Sequence, residues 1–420
     1  MTGGAVALTA PRPSLRSRAP AVGALAAQVA QALGNFVIQV LAARELGASG
    51  LGAFAFLFGA LVMATALSSG LVGDSLTVLD RHDPAIRAAL WRTGWLVVGL
   101  SSAVALVVGA TRISPTAGIL FATAMASFVL ADLARRLLMA HLRFWTLAVV
   151  DSIALAVAGL VLGVSALVGP LGLAHFLAAL TASQLTVVLL AVRRLPAAER
   201  TLPGRGWGNW RAVTGYGSWR AVQQFIRPTA LNVARWIVLV ATGTAAVGQL
   251  EAARVLVAPA MLLVQGLGSY LFASYAADRE VGLPRLRRRA DRAALVMMGG
   301  AVVVGALVTV SLPMLGRLLG SETFDLSATA ALGWACYAAS CAAVMPYGSL
   351  AAVRGRQAAV LLVRLVDVAV SLALVALLLL VADADPATVP WALSVGSFLG
   401  GLLCRQVLLS GRTPSGREAS

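Results

Sequence analysis

Residues 145–168, WTLAVVDSIALAVAGLVLGVSALV, form an apolar run in which Asp151 is the one charged residue. A helix needs about 20 such residues to cross the hydrocarbon core of a bilayer. The run does not alternate polar and apolar residues with the period of two that a membrane-barrel strand requires. Because helices satisfy their own backbone hydrogen bonds in lipid, this stretch predicts a membrane-spanning helix.

Similar runs recur along the whole chain of 420 residues, of which 59% are hydrophobic and 12% charged. Soluble domains carry roughly twice that charged fraction. The predicted spans are residues 20–43, 50–72, 91–110, 115–134, 145–168, 171–192, 214–240, 246–273, 293–314, 327–350, 357–382 and 388–409. We therefore predict an all-α polytopic membrane protein with about 12 transmembrane helices.

Arginines cluster in alternate connections between these spans, and the densest group is Arg285, Arg287, Arg288, Arg289 and Arg292. The opposite connections are nearly free of them. By the positive-inside rule, we expect a multi-pass protein of the cytoplasmic (inner) membrane with both termini in the cytoplasm. The net charge of +16 then belongs to the loops, and no nucleic-acid partner is expected.

The longest polar stretch, residues 193–212, falls between the sixth and seventh spans. It predicts a cytoplasmic basic tail (1–19), an N-terminal six-helix half (20–192), a cytoplasmic linker (193–213), a C-terminal six-helix half (214–409) and a cytoplasmic tail (410–420). Two such halves are typical of transporters built from repeats, which bind substrate at the interface between the repeats. We therefore expect the halves to surround a central cavity.

The seventh span carries a polar stripe. At about 100° per residue, Arg220, Gln224, Arg227 and Arg235 lie within an arc of about 80°. A charge near the bilayer centre costs on the order of 2.5–3.5 kcal/mol even on the lenient insertion scale. Since guanidinium groups favour phosphate and carboxylate, the stripe predicts a binding site for an anionic substrate.

The same arginines have a structural interpretation, in which they form internal ion pairs with Asp151, Asp367 or Glu251. Too few acids lie within the spans to neutralise every arginine. An anionic ligand is therefore the favoured interpretation.

A second stripe lies on the first span, where Gln28, Gln31, Asn35 and Gln39 fall within an arc of about 80°. These amides could bridge neighbouring helices. They could equally form a polar wall of the cavity, with donors and acceptors for sugar hydroxyls. Both interpretations stay open.

Three charged residues are candidates for coupling transport to an ion gradient: Asp151 in the fifth span, and Arg364 with Asp367 in the eleventh. Arg364 and Asp367 are adjacent on one helix face, so a local ion pair explains them equally well. No catalytic, nucleotide-binding or metal-ligand motif is present. We expect neither enzymatic activity nor a metal or cofactor, and any transport is secondary or passive.

Three stretches resemble the Wzx-type polysaccharide-export flippases of the multidrug/oligosaccharidyl-lipid/polysaccharide exporter superfamily. Residues 35–57, NFVIQVLAARELGASGLGAFAFL, resemble the opening pattern of this family through Arg44, Leu46, Gly47 and Gly52. Residues 247–276 are similar through Gly248, Ala252, Ala253 and Pro259, and residues 312–324 through Leu319, Gly320 and Phe324. These motifs consist of turns and packing glycines.

The resemblance implies a flippase that moves a polyprenyl-diphosphate-linked oligosaccharide across the membrane by alternating access, for cell-surface polysaccharide biosynthesis. The implied partners are the lipid-linked oligosaccharide with its anionic diphosphate, membrane lipids and polysaccharide-assembly proteins. One alternative is a cation-coupled multidrug exporter of the same superfamily, which would use carboxylates in its cavity. Another is a non-transporting membrane scaffold for glycosyltransferases.

The orientation predicts which side can label two loops. We expect Pro203→Cys and Pro284→Cys, in a background without Cys336, Cys341 and Cys404, to resist a membrane-impermeant maleimide in intact cells. Both sites should label once the cells are opened, because the arginine-rich loops face the cytoplasm. Labelling of either site from outside would reverse the topology.

Overall fold

The computed structural model describes residues 15–80, 82–200, 208–278, 280–319 and 326–409. Most of the predicted N-terminal tail, the C-terminal tail and the middle of the linker lie outside these ranges. Gly320 and Phe324 of the third family-like stretch also lie outside them. The described part of the chain is helical and contains no strand.

The helices are α1 (Leu15–Ser68), α2 (Asp74–Val78), α3 (Pro84–Arg112), α4 (Pro115–Ala140), α5 (Phe144–Val168), α6 (Leu173–Arg194), α7 (Ala197–Arg200), α8 (Trp210–Thr242), α9 (Thr244–Ala277), α10 (Leu283–Val310), α11 (Leu312–Leu319), α12 (Ala328–Val353), α13 (Gln357–Leu380) and α14 (Val389–Leu403). Short π-helical turns follow α1 (Ser69–Gly73) and α14 (Cys404–Leu408), and a 3-10 turn, Pro386–Thr388, precedes α14.

Twelve helical passes result from these elements. Ten segments are long and apolar enough to span a membrane, and one of them, Ala26–Leu76, contains two passes on either side of Gly47. The arginine-bearing α8 spans 33 residues and supplies the remaining pass. The prediction of an all-α protein with about 12 transmembrane helices is confirmed.

The helices extend beyond several predicted spans. The second pass continues past residue 72 through the π-helical turn and α2 to Val78. Helix α10 begins at Leu283, ten residues before the predicted span. Its first turn contains Pro284, which suits that position, and arginine is a good helix former. Hydropathy marks the apolar part of such a helix and misses its polar end.

Two glycines mark corresponding turns in the halves. Gly47 (φ 65°) separates the first and second passes, and Gly243 (φ 90°) separates the seventh and eighth. Positive φ angles favour glycine because it lacks Cβ. We call the end of the bundle that holds these glycines the kink end. The opposite end, where α6 ends and α8 begins, is the linker end.

The halves pack against each other at the kink end through a glycine pair. Gly52 lies five residues after Gly47, and Gly248 lies five residues after Gly243. A Cβ on Gly52 would overlap the carbonyl oxygen of Thr244, and one on Gly248 would overlap that of Ala48. This reciprocal contact relates the halves by an approximate two-fold axis, and small residues permit the close backbone approach.

Enlarging one of these glycines should destabilise the protein. For Gly248→Val we expect a loss of about 1–3 kcal/mol, because the new side chain would meet backbone atoms that cannot rotate away. The measurement is the thermal unfolding midpoint in detergent. Gly159→Val is the matched control, since a Cβ there meets nothing within 4 Å. Equal midpoints for the two variants would contradict the close contact.

Candidate binding cavities

Polar side chains of the described residues line three of the cavities within the bundle. The arginine cavity (about 460 Å³) lies in the C-terminal half, and its lining includes Arg220, Gln224, Arg227, Tyr337, Cys341, Arg364 and Asp367. The interhalf cavity (about 350 Å³) is lined by both halves, including Asn35, Gln39, Asn232, Arg235, Arg254 and Gln265. The N-half cavity (about 210 Å³) includes Gln31, Asn35, Asp132, Arg135, Asp151 and Gln184.

The predicted stripe on α8 therefore divides between two cavities. Arg220, Gln224 and Arg227 line the arginine cavity, whereas Arg235 lines the interhalf cavity. Pro228 contributes to both. Proline has no backbone N–H, so it cannot bond to the carbonyl of Gln224 one turn earlier. The two cavities adjoin at this point of α8.

Arg227 occupies the middle of α8 and contacts a thiol and an aromatic ring. Its Nη2 donates to Cys341 Sγ at 3.0 Å, and its guanidinium carbon lies 5.8 Å from the centroid of the Tyr337 ring. Among the described residues, no carboxylate lies within 4 Å of its guanidinium nitrogens. A thiol and an aromatic face offset a buried positive charge only in part. The site can therefore accept an anion.

Arg220 has an acidic partner in the other half. Its Nε lies 2.8 Å from Asp74 Oδ2, and its Nη1 donates to Gln223 Oε1 at 2.7 Å. Asp74 begins α2, inside the segment that hydropathy assigned to a connection between spans. Nothing in the local sequence around Asp74 connects it with Arg220, which lies 146 positions away in the chain.

Arg235 has the partner that the ion-pair interpretation named. Glu251 accepts from Arg235 Nε at 2.8 Å and from Arg254 Nε at 2.7 Å. Arg254 Nη2 also donates to Gln39 Oε1 at 2.6 Å, which connects this cluster to the first pass. The Glu251 side chain is only 5% exposed. Glu251 with its two arginines forms a buried ionic layer near the kink end.

The amide stripe of the first pass is also divided. Asn35 and Gln39 line the interhalf cavity, as the cavity-wall interpretation requires, and Gln31 lines the N-half cavity. Gln28 is exposed and lies outside the lining of these cavities. The stripe does not form one wall of one cavity, because the first pass contacts different neighbours along its length.

Each half holds a buried acid on its fifth pass. Asp151 Oδ1 accepts from Arg135 Nε at 2.9 Å, and Arg135 also donates to Gln184. Asp367 lies 3.7 Å from Arg364 and accepts from Ser397 Oγ at 3.2 Å. Arg135 thus neutralises Asp151 at close range, whereas the Asp367 pair is longer and borders the arginine cavity. Within the described ranges, no three His, Cys, Asp or Glu side chains form a metal-binding group.

The ionic layer allows a test of its contribution to stability. We expect Glu251→Gln to cost about 3–5 kcal/mol, because it leaves two buried guanidinium groups without their shared carboxylate. Glu45→Gln is the matched control; its partner Arg44 is 65% exposed at 3.6 Å, and such pairs contribute about 0–1 kcal/mol. Thermal unfolding in detergent compares them. Similar midpoints would show that the layer is not a stabilising ion cluster.

No protein-family model matches the chain, and no curated protein matches it. Several solved structures, in contrast, match the chain. An inward-facing multidrug resistance MATE family transporter of the MOP superfamily has a TM-score of 0.73 at 13% identity, covering 93% of this chain and 98% of that one. An outward-facing conformation of such a transporter scores 0.66 at 11% identity, covering 93% and 96%.

A third similar structure is a MOP superfamily transporter from Pyrococcus furiosus, described by a "reverse polarity of binding pocket" that "suggests different function". Its TM-score is 0.61 at 10% identity, and the match covers 93% of this chain and 96% of that one. At these identities the likeness concerns architecture. The chain has the fold of the MATE transporters of the MOP superfamily.

Proposed function

We propose that the protein is a flippase for a polyprenyl-diphosphate-linked oligosaccharide. The observation that carries this proposal is Arg227, a guanidinium in the middle of a membrane pass that lines a cavity and has no carboxylate within 4 Å among the described residues. A diphosphate offers this group charge-assisted, bidentate hydrogen bonds. Arg220 and Arg364 line the same cavity, so its lining has three arginines and one aspartate.

The adjoining interhalf cavity suits the sugar portion of such a substrate. Asn35, Gln39, Asn232 and Gln265 bring amide donors and acceptors to its lining. Neutral amides match sugar hydroxyls better than charged groups do, because each amide both donates and accepts. In the proposed binding mode, the diphosphate lies in the arginine cavity and the first sugars lie in the interhalf cavity.

The similar structures support substrate entry from the cytoplasmic leaflet. The TM-score is 0.73 to the inward-facing transporter and 0.66 to the outward-facing one. In this structure the halves contact each other at both ends, through Ser49 and Thr244 at the kink end and through Arg220 and Asp74 at the linker end. We propose that the linker end and both termini face the cytoplasm, and that the protein resides in the inner membrane.

The second candidate is a cation-coupled multidrug exporter, which the names of the similar structures support. A cationic drug requires an accessible carboxylate. Asp151 is already paired with Arg135, and Asp367 shares its cavity with three arginines. The local charge therefore favours an anionic substrate. We retain Asp367 with Arg364 as the proposed coupling group, because its long ion pair can exchange partners more readily than the Asp151 pair.

Removing Arg227 tests the proposal. We expect Arg227→Ala to abolish flipping, since losing one charged contact to a desolvated anion costs about 2–5 kcal/mol. Arg227→Lys should retain partial activity because a point charge still attracts phosphate. Arg220→Ala and Arg235→Ala should weaken flipping less. The measurement is the appearance of lipid-linked sugar at the outer leaflet of proteoliposomes.

Arg112→Ala is the matched control, because Arg112 is exposed at the end of α3, away from the arginine cavity. It should flip substrate at the wild-type rate. Unchanged flipping by a well-inserted Arg220/Arg227/Arg235 triple alanine variant would refute the diphosphate site. An inactive wild-type protein that still binds glycosyltransferases would instead support the scaffold function.

A further inference from the structure

Arg220 takes part in two structural features at once: it lines the arginine cavity, and it forms an ion pair with Asp74 of the other half. We propose that Asp74 is a built-in competitor of the substrate anion. An anion held by Arg220 and Arg227 displaces the Asp74 carboxylate and breaks this ion pair between the halves. The inference rests on the proposed function, since it requires an anionic substrate.

The geometry permits one anion to contact both arginines. Arg220 and Arg227 are seven residues apart, which places them on the same face of α8 about 10 Å apart along its axis. Their long side chains can converge on a diphosphate between them. In the structure, Arg220 Nε donates to Asp74 Oδ2 at 2.8 Å, and Arg220 Nη1 donates to Gln223 Oε1 at 2.7 Å. A bidentate contact with phosphate pairs Nη2 with either Nε or Nη1, so either mode needs one of these two occupied N–H groups.

Asp74 is presented to Arg220 by a close contact between the second pass and α8. Asp74 follows the π-helical turn Ser69–Gly73 directly, and such turns are frequent at functional sites. A Cβ on Gly70 would overlap the backbone of Ala221, and one on Gly217 would overlap the Leu71 carbonyl. The carboxylate can reach Arg220 only while these backbones are in contact.

Competition has a thermodynamic consequence. If the anion and Asp74 exclude each other at Arg220, then substrate weakens the contact between the halves, and the contact weakens substrate binding by the same factor. A purely structural ion pair has no such linkage. Removing Asp74 would then lower stability and leave the affinity for the anion unchanged.

The experiment measures binding of farnesyl diphosphate to the full-length protein in detergent by calorimetry. We expect Asp74→Asn to bind about tenfold more tightly than wild type, within the usual range of such couplings. Asp74→Glu, which keeps the competing charge, should bind as wild type does. Glu45→Gln is the matched control. It removes one negative charge from the same half, but Glu45 pairs with exposed Arg44 near the kink end and does not line the arginine cavity.

Equal or weaker binding by folded Asp74→Asn would overturn the inference. Equal tightening by Glu45→Gln would also overturn it, because it would indicate a nonspecific charge effect. A measurement on the wild-type protein covers the case in which Asp74→Asn does not fold. Farnesyl diphosphate should increase amide hydrogen exchange in residues 69–78, because the ligand releases Asp74 from α8. Unchanged or decreased exchange there would overturn the inference.

The two proposals fail in distinguishable ways. If binding is lost in Arg227→Ala but unchanged in Asp74→Asn, then Asp74 does not compete with the anion. The proposal of an anion site at Arg227 still holds in that case. Failure of wild-type protein to bind farnesyl diphosphate overturns the anion site, and the inference with it.

Discussion

An ionic group inside a membrane protein must be matched by an opposite charge, by hydrogen bonds or by a ligand, because hydrocarbon offers no solvation. The described acids of the passes obey this rule: Asp151 is matched by Arg135, Glu251 by Arg235 and Arg254, and Asp132 by Ser69 and Arg136. Arg227, by contrast, has a thiol and an aromatic ring as its neighbours, and no described carboxylate lies within 4 Å of it. The unmet charge lies where a cavity of about 460 Å³ could admit a ligand.

Glycine determines where the two halves touch. At the kink end, Gly52 and Gly248 let the second and eighth passes approach to backbone contact, and at the linker end Gly70 and Gly217 do the same for the second pass and α8. Between these contacts, Gly59 of the second pass lies against Asn232 and Arg235 of α8. The polar side chains that line the cavities along this interface belong to α8.

The sequence predicts the fold well because the membrane imposes a length and a composition on every pass. It also predicts which residues share a helix face, but not which neighbour that face meets. Arg227 and Arg235 belong to one stripe, yet Arg235 pairs with Glu251 whereas Arg227 contacts a thiol and an aromatic ring. The decisive contacts join distant positions, such as Arg254 and Gln39, 215 residues apart. Local periodicity carries no information about such pairs.

The two-fold relation of the halves is visible in the structure and not in the glycine spacing. Gly47 with Gly52, and Gly243 with Gly248, lie five residues apart at the turn between the first two passes of each half. The same spacing recurs elsewhere, for example at Gly94 and Gly99. Only the reciprocal backbone contacts of Gly52 and Gly248 distinguish these two pairs from the others.

Separating the two halves would break different polar contacts at the kink end and at the linker end. At the kink end, Glu251 and both of its arginines belong to the C-terminal half, so moving the halves apart breaks the bond from Arg254 to neutral Gln39 and uncovers no unpaired acid. At the linker end, the Arg220–Asp74 pair crosses between the halves, so separation there would break a contact between two opposite charges. Because a bond between two charged groups is stronger than a bond from a charged group to a neutral amide, an anion that takes the place of Asp74 would ease separation at the linker end.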